Sequence, residues 1–361
     1  MPDHLALPRI RKHLAYVPGE QPRDAENIVK LNTNENPYPP SPDVRQAVLD
    51  EIEKLPLYPN PTGNPLRKAI AELHSLHPDQ VILGNGSDDL LNLCARCFSG
   101  PEQAIGVTTP SYSLYPVLAS LQGASVAEVP FESDFSLPAD SIAACPANLF
   151  YLTTPNAPTG ISFPNETLDD VLRRFPGVFV ADEAYVDFAS HDAIPLLASN
   201  PRLLITRTLS KSYSLAGLRL GYALGSPELI AILHKAREVY NVDRLAQAAA
   251  LAAIRDQEYF RQNTAKILAT RTALLENLQV RGWDTFPSST NFLFTQPRKT
   301  RHGNASPETA LSLFRFLENR RILTRLFPKH PLTSSRLRIS IGDDNQIQAL
   351  LDAIEQWEQH A

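Results

Sequence analysis

The chain has 361 residues, of which 43% are hydrophobic and 20% are charged. A chain of this length can bury a large core and exceeds a single small module, so we expect two domains. The formal net charge of −5, without a dense block of lysine and arginine, disfavours nucleic acid or an anionic membrane surface as a partner and favours small molecules.

The sequence indicates no targeting signal, disulfide framework or metal site. The first twenty residues contain no apolar run of signal-peptide length, and no stretch of about 18 uninterrupted apolar residues occurs, which predicts a cytoplasmic protein without a membrane span. Three cysteines are too few for a disulfide framework. His74 and His77 lie one helical turn apart, a spacing that could suit a metal, but the segment ends at Pro78, so we expect an exposed helix end there.

The first half of the chain begins with a proline-rich segment and continues with alternating apolar and amphipathic stretches. The N-terminal fifty residues are rich in proline and have no strong periodicity, so we expect them to pack onto the C-terminal part. Short apolar runs then alternate with amphipathic stretches such as DDLLNLCARCF and ETLDDVLRRF, which predicts parallel strands covered on both faces by helices. The predicted strands are residues 81–84, 104–109, 148–154, 178–184 and 203–209.

After about Pro227 the pattern changes to long helices, and a smaller α+β part follows with TNFLFTQ and RLRISIG as strands. The predicted fold class is therefore α/β, with a mostly parallel central sheet flanked by helices in a large domain over residues 45–250. Residues 1–44 and 251–361 together form the predicted small α+β domain.

Ligands of open α/β sheets bind at the carboxyl ends of strands, where two segments of this chain carry polar residues. VILGNGSDDLL passes from a strand through a glycine turn into a helix and can offer backbone N–H groups to a phosphate, although an ordinary capped turn would have the same pattern. VFVADEAY ends a buried strand on Asp182 and Glu183. A buried carboxylate needs a cationic or hydrogen-bonded partner, so a structural ion pair is the alternative to a functional role.

The segment TRTLSKSYSLAGLRLGY, residues 206–222, places Lys211 just past a strand end, between Ser210 and Arg219. A lysine amine is nucleophilic only when it is neutral, which burial or a neighbouring cation promotes. These residue types together fit pyridoxal phosphate. The lysine can form an imine, the aspartate can pair with a ring nitrogen, and the serine, the arginine and the glycine turn can bind a phosphate. We expect Gly217 and Gly221 to allow a close backbone approach in this segment.

Over its whole length the chain resembles the fold-type I pyridoxal-phosphate aminotransferases, and among them the histidinol-phosphate aminotransferase family. The resemblance implies pyridoxal 5'-phosphate as cofactor, an amino donor with 2-oxoglutarate as acceptor, and a homodimer. The motifs that carry it are AYVPGE, KLNTNENPYPPSP, LYPNPTGNPLRKAIA, GNGSDDLL, TTPSYSLYP, PNAPTG, VADEAY, RTLSKSYSLAGLRLGY, RILTRLF and LRISIG.

The resemblance also implies a role for each matching residue. Lys211 should form the imine with the cofactor and move the substrate proton, Asp182 should keep the pyridine nitrogen protonated, and Tyr185 should donate to the ring oxygen O3'. Tyr112 should stack on the ring. Tyr58 should reach the phosphate bound by a neighbouring subunit, which is why a dimer is expected. The other expected phosphate contacts are the backbone amides of Ser87 and Asp88, with Ser210 and Arg219.

One motif departs from the family pattern. Related enzymes read P-N-N-P-T-G, and Ala157 stands where their second asparagine bonds the ring oxygen. The O3' contact then depends on Tyr185, and on Asn156 if the loop turns differently. We expect the imine pKa to be higher than in relatives that keep the second asparagine.

The implied substrate site contains two arginines. Arg338 matches the arginine that binds the substrate α-carboxylate, and a guanidinium suits such a planar anion. For histidinol phosphate, which lacks this carboxylate, Arg338 should bind the phosphate with Arg325 and Tyr16, and Asn34 should lie near the amine. A broad aromatic aminotransferase, a threonine-phosphate decarboxylase and a non-catalytic regulatory domain remain as alternatives, although the intact lysine and aspartate disfavour the last.

Overall fold

The computed structural model describes residues 5–17, 19–21 and 28–359. Its strands are β1 (Val29–Lys30), β2 (Val81–Gly84), β3 (Ile105–Thr109), β4 (Val126–Pro130), β5 (Leu149–Thr153), β6 (Val178–Asp182), β7 (Leu203–Thr208), β8 (Gly221–Gly225), β9 (Asp284–Thr285), β10 (Phe292–Gln296), β11 (Ile322–Leu323), β12 (Arg325–Leu326) and β13 (Leu337–Ser340). Its α-helices are α1 (Pro8–Arg11), α2 (Pro42–Ile52), α3 (Asn64–Leu73), α4 (Ser87–Phe98), α5 (Leu114–Gln122), α6 (Ala139–Ala143), α7 (Asn165–Arg174), α8 (Pro227–Ala236), α9 (Arg244–Arg255), α10 (Gln257–Val280), α11 (Pro307–Glu318) and α12 (Asp344–Gln359).

The central sheet has seven strands in the order β2-β8-β7-β6-β5-β3-β4. Its pairs are parallel except for those made by β8, which runs antiparallel to β2 and β7. The five strands predicted from apolar runs are all present, and the mostly parallel sheet is confirmed.

Both faces of this sheet are buried, as its continuous apolar strands require. Successive strand residues point to opposite faces, so Phe150 joins the core under α3, α7 and α9, whereas Tyr151 joins the core under α4, α5 and α8. The same alternation separates Phe179 from Val180. The sheet is therefore held rigidly between two helical layers, which fixes the positions of its strand ends.

A second, antiparallel sheet has the order β12-β13-β10-β9, and α10, α11 and α12 contribute to its own core. The N-terminal segment reaches this part of the chain, since β1 pairs in parallel with β11. Helix α1, in contrast, lies against α5 of the central-sheet part, where the Arg9 Nε donates to the Leu121 carbonyl at 3.1 Å. The division at residues 45 and 250 stays a proposal, and residues 1–4, 18, 22–27, 360 and 361 lie outside the described residues.

The expectation of an exposed helix end at both histidines was wrong for His74. Its Nε2 lies 2.9 Å from the Tyr222 hydroxyl, and burial lowers the pKa of its imidazole to about 4. The amphipathic face of α3 turns this side chain towards the central sheet, whereas His77, past the helix end, is exposed. In the described part of the chain, no group of three or more His, Cys, Asp or Glu is placed to hold a metal ion. No helix there has the length and apolar character to cross a membrane.

Candidate active site

The carboxyl ends of β2, β3, β5, β6 and β7 open into a cavity of about 520 Å³. Twelve of the thirteen residues that the sequence proposed for the site line this cavity: Tyr16, Asn34, Ser87, Asp88, Tyr112, Asp182, Tyr185, Ser210, Lys211, Arg219, Arg325 and Arg338. Residues far apart in sequence thus meet at one edge of the sheet, as the strand-end rule predicts. The exception is Tyr58.

Lys211 follows β7 and points its amine into the cavity. The Nζ atom donates to the Thr33 carbonyl at 3.1 Å, and the Asn36 side chain donates to the Lys211 carbonyl at 2.9 Å. Burial, with a contribution from Arg338, lowers the pKa of the lysine to about 8. Arg219, the cation that the sequence suggested for this effect, contributes less. About one tenth of the amine is therefore neutral at pH 7, far more than for an ordinary lysine, and this fraction can act as a nucleophile.

Asp182 ends β6 with its side chain buried. Among the described residues, its partners are hydrogen-bond donors and not a cation. The Tyr115 hydroxyl donates to Oδ2 at 2.8 Å, the Thr206 hydroxyl donates to Oδ1 at 3.3 Å, and the Ala184 backbone N–H also donates to the carboxylate. Burial raises the pKa of Asp182 to about 6, and the hydrogen bonds oppose this rise.

The neighbouring carboxylate, Glu183, belongs to a separate structural network. Its Oε2 lies 2.7 Å from a terminal nitrogen of Arg207, which also pairs with Asp192 at 2.9 Å. The backbone N–H of Ala193 donates to the other oxygen. Glu183 therefore forms the structural ion pair that the sequence left open, whereas Asp182 lines the cavity.

The turn between β2 and α4, called the cradle below, has a geometry that could hold an anion. Gly86 has φ +83° and caps α4 without a side-chain hydrogen bond, so the first N–H groups of the helix keep no side-chain acceptor. A Cβ on Gly86 would lie 2.6 Å from the Arg219 guanidinium, and one on Gly221 would lie 2.6 Å from the Ser87 nitrogen. Both positions therefore require glycine. Gly217 does not, because no described atom lies within 4 Å of its Cβ position.

Two tyrosines and a carboxylate border this cradle. The Tyr112 hydroxyl donates to Asp88 at 3.2 Å, and the other Asp88 oxygen lies 3.4 Å from Arg219. Tyr16 meets the Tyr112 ring edge to face, with 6.0 Å between centroids. The Asp88 side chain thus holds both Tyr112 and Arg219, a role that sequence reasoning did not assign to it.

Tyr185 lies in the same cavity and is oriented by Asn34. The Asn34 amide donates to the Tyr185 hydroxyl at 2.9 Å, while its own carbonyl oxygen accepts from Ser340 at 2.8 Å. Burial raises the pKa of Tyr185, although Arg338 and the Asn34 hydrogen bond lower it. The phenol stays protonated at neutral pH and can donate one hydrogen bond into the cavity.

Arg325 and Arg338 are direct cross-strand neighbours on β12 and β13. Both guanidinium groups face the Phe327 ring, with 5.9 Å and 5.4 Å to its centroid. Burial, together with the charge of Arg325, lowers the pKa of Arg338. The buried Nε of Arg338 has no hydrogen-bond partner in the described part of the chain. An anion bound between the two groups would relieve their repulsion and accept from these donors.

A family model described as aminotransferase class I and II matches residues 26–354. The chain belongs to the class I and II aminotransferases. This confirms the resemblance that the sequence motifs indicated.

This aminotransferase is 44% identical to the histidinol-phosphate aminotransferase of Syntrophotalea carbinolica over 350 residues, which cover 96% of the chain and 98% of that protein. It is 43% identical to the histidinol-phosphate aminotransferase of Geobacter sulfurreducens, covering 94% and 96% of the two chains. Among solved structures, the Sinorhizobium meliloti histidinol-phosphate aminotransferase in complex with pyridoxal-5'-phosphate matches with a TM-score of 0.82 at 27% identity, covering 91% and 90%. The predicted fold-type I architecture is confirmed by these matches.

Proposed function

We propose that this aminotransferase uses pyridoxal 5'-phosphate to transfer the amino group of histidinol phosphate to 2-oxoglutarate. The observation that carries the proposal is the placement of the paired arginines Arg325 and Arg338 in the cavity that also holds Lys211 and Asp182. The residues fit this cofactor, since the cavity offers a partly neutral lysine, a buried carboxylate and an uncapped helix start for a phosphate.

The cofactor, when bound, supplies an aldehyde for the amine and a ring that accepts electrons. Lys211 binds it and moves a proton at the substrate carbon, which requires the neutral amine that burial promotes. Asp182 keeps the ring nitrogen protonated, and the Tyr185 hydroxyl donates to the ring oxygen. The α4 start and Arg219 hold the phosphate, while Tyr112 covers the ring and excludes water.

The two arginines account for both substrates. Histidinol phosphate has no carboxylate, and its phosphate is a divalent anion that two convergent guanidinium groups suit. The carboxylates of 2-oxoglutarate present the same charge to the same groups in the second half of the reaction. A broad aromatic aminotransferase would need only one of these arginines, and a threonine-phosphate decarboxylase would need both, so the reaction products must distinguish these alternatives.

A homodimer completes the proposal. Tyr58 is 77% exposed and lies outside the cavity of its own chain, stacked on Tyr240 with 4.6 Å between ring centroids. Exposed apolar side chains surround it in sequence, including Leu55 and Leu57. A second subunit would cover this surface and receive Tyr58 at its own cofactor phosphate. The cytoplasmic location expected from the sequence also stays a prediction.

The direct test is a steady-state assay of the reconstituted protein. Glutamate formation from 2-oxoglutarate should be supported by micromolar to millimolar histidinol phosphate. No glutamate from histidinol phosphate, together with efficient transamination of phenylalanine, would replace this proposal with the aromatic alternative.

Arg325→Ala should separate the two donor classes. We expect kcat/KM for histidinol phosphate to fall roughly 100-fold, because one charge-assisted contact to the phosphate is lost. The value for phenylalanine should change much less, because Arg338 still binds a carboxylate. Arg315→Ala, a truncation on the exposed side of α11, serves as the control and should leave both values unchanged. An equal loss for both donors would contradict the assigned phosphate role.

Ala157 should affect the spectrum of the bound cofactor. Ala157 lines the cavity, whereas Asn156 is buried outside the cavity lining, where its Oδ1 accepts from the Thr159 hydroxyl at 2.9 Å. We therefore expect that Ala157→Asn, which restores an amide donor for the ring oxygen, lowers the pKa of the spectral transition by about one unit. A pH titration of the holoenzyme absorbance measures this. An unchanged or higher pKa in the variant would contradict the assigned contact.

A further inference from the structure

Tyr115 is a fully buried residue near the start of α5 whose hydroxyl group contacts Asp182. Neither the sequence motifs nor the cavity lining indicate a role for it. Its oxygen also lies 2.5 Å from the Thr153 hydroxyl, and the Thr153 oxygen lies 3.3 Å from Ser111. Ser111 and Thr153 line the cavity. A chain of hydroxyl groups therefore connects the cavity with Asp182 through Tyr115.

The direction of each hydrogen bond in this chain follows from the ionised carboxylate. A carboxylate only accepts, so the Tyr115 proton points to Asp182. The Tyr115 oxygen must then accept from Thr153, and the Thr153 oxygen must accept from Ser111. Each donor in the series is polarised by the next, which strengthens the final bond to the carboxylate.

The hydrogen bonds that Asp182 accepts from the described residues leave one of its acceptor positions unused. An ionised carboxylate has about four acceptor positions. Tyr115, Thr206 and the Ala184 N–H occupy three of them. The side chain reaches the cavity, so the remaining position can accept from a donor bound there. The N–H of a protonated pyridine ring is such a donor.

We propose that Tyr115 is a positioning residue that keeps Asp182 oriented and ionised, so that the ring nitrogen of the bound cofactor retains its proton. This role rests on the proposed function. Without the Tyr115 hydroxyl, burial of the carboxylate is less compensated, and the proton shared between the carboxyl and the ring nitrogen moves towards Asp182.

Other ionisable groups lie near this carboxyl, and burial raises the pKa of each tyrosine among them, so the phenols stay neutral at neutral pH. They come from α4, the loop before α5, β5 and the segment after β6, and they are Asp88, Tyr112, Tyr151 and Tyr185. Asp88 acts in the same direction as burial, whereas the Tyr115 hydroxyl opposes it. Removal of the Tyr115 hydroxyl alone is therefore the informative change.

The chain offers a matched control in Tyr151. Its ring stacks on Tyr115 with 4.8 Å between centroids, and it is equally buried. Its hydroxyl, however, donates to the Leu91 carbonyl at 2.7 Å and not to Asp182. Tyr151→Phe thus removes a buried hydroxyl from the same aromatic stack without touching the carboxylate.

The experiment compares wild-type protein, Tyr115→Phe and Tyr151→Phe, each reconstituted with ¹⁵N-labelled pyridoxal phosphate. The ¹⁵N chemical shift of the ring nitrogen is followed against pH, and cofactor affinity is measured separately. We expect the protonated ring signal in wild type and Tyr151→Phe at neutral pH. In Tyr115→Phe the signal should move towards the unprotonated position, and the dissociation constant should rise roughly tenfold. Thr153→Val, which removes the donor to Tyr115 together with the acceptor of Ser111 but keeps the Tyr115 hydroxyl, should give a smaller shift in the same direction.

Two results would overturn the role of Tyr115: an unchanged ¹⁵N shift in Tyr115→Phe across the pH range, or an equal shift in Tyr151→Phe. Failure of the wild-type protein to take up the cofactor would instead contradict the proposed function itself, and this role with it. The two failures are distinguishable because the first requires a normally loaded wild-type protein.

Discussion

Replacement of Lys211 by alanine is expected to lower the rate of amino transfer by about 10⁴-fold or more while leaving the fold intact. The variant loses both the covalent anchor and the group that moves the substrate proton, and proton transfer alone contributes up to roughly 10⁴-fold. The fold should persist, because the amine makes one hydrogen bond to the Thr33 carbonyl and its burial is itself unfavourable for a cation. Turnover assays and circular dichroism measure the two effects.

Two controls make this experiment specific. Lys235→Ala removes the same atoms from an exposed position on α8 and should transaminate at the wild-type rate. Lys211→Arg keeps a cation in the cavity but cannot form an imine, and it should be as inactive as the alanine variant. Wild-type turnover by Lys211→Ala, or substantial turnover by Lys211→Arg, would contradict the covalent role.

Asp182→Asn should produce the second largest loss, at least roughly 100-fold in kcat/KM. The substitution removes one member of a buried charge pair with the ring nitrogen, which costs about 3–5 kcal/mol. Glu183→Gln is the matched control, because it neutralises the adjacent buried carboxylate, whose partner is Arg207. That variant should lose stability, measured as the free energy of unfolding, with a much smaller loss of rate. The reverse pattern would contradict the roles given to these two carboxylates.

The same aspartate predicts a dependence of cofactor affinity on pH. The pKa of Asp182 in the cofactor-free protein is raised to about 6, so the carboxyl becomes protonated and neutral as the pH falls through this value. A neutral carboxyl stabilises a protonated ring less, and the affinity should therefore decrease below about pH 6. Because the cofactor phosphate titrates in the same range, the comparison with Asp182→Asn isolates the contribution of the carboxyl. Parallel pH profiles for the two proteins would contradict it.

The sequence predicted those parts of the fold that carry their own local signal. Strands β2, β3, β5, β6 and β7 each contain a short apolar run, because both faces of the sheet are buried. Strand β8 was missed because it begins at Gly221 inside a motif interpreted as a ligand segment. Strand β4, at the sheet edge, is half-exposed and lacks such a run. The order of the strands depends on long-range pairing and has no local signal.

For the site, too, the sequence identified single residues but not the contacts that depend on packing. Lys211 and Asp182 were found because each lies at the carboxyl end of a buried strand, where ligands bind. The prediction that Asp182 needs a hydrogen-bonded or cationic partner was correct, but the partner itself, Tyr115, could not be identified from sequence. It lies 67 residues away, and only the packing of α5 against the sheet brings its hydroxyl to the carboxylate. His74 was misjudged for the same reason, because its partner Tyr222 comes from β8.

The most direct test of the account is the first half-reaction, in which the wild-type holoenzyme is mixed separately with histidinol phosphate, phenylalanine and threonine phosphate. The cofactor absorbance is followed and the products are analysed. We predict conversion to the pyridoxamine form by histidinol phosphate at far lower concentration than by phenylalanine. Preference for phenylalanine would contradict the phosphate role of Arg325 and Arg338, and release of carbon dioxide from threonine phosphate without pyridoxamine formation would identify a decarboxylase instead.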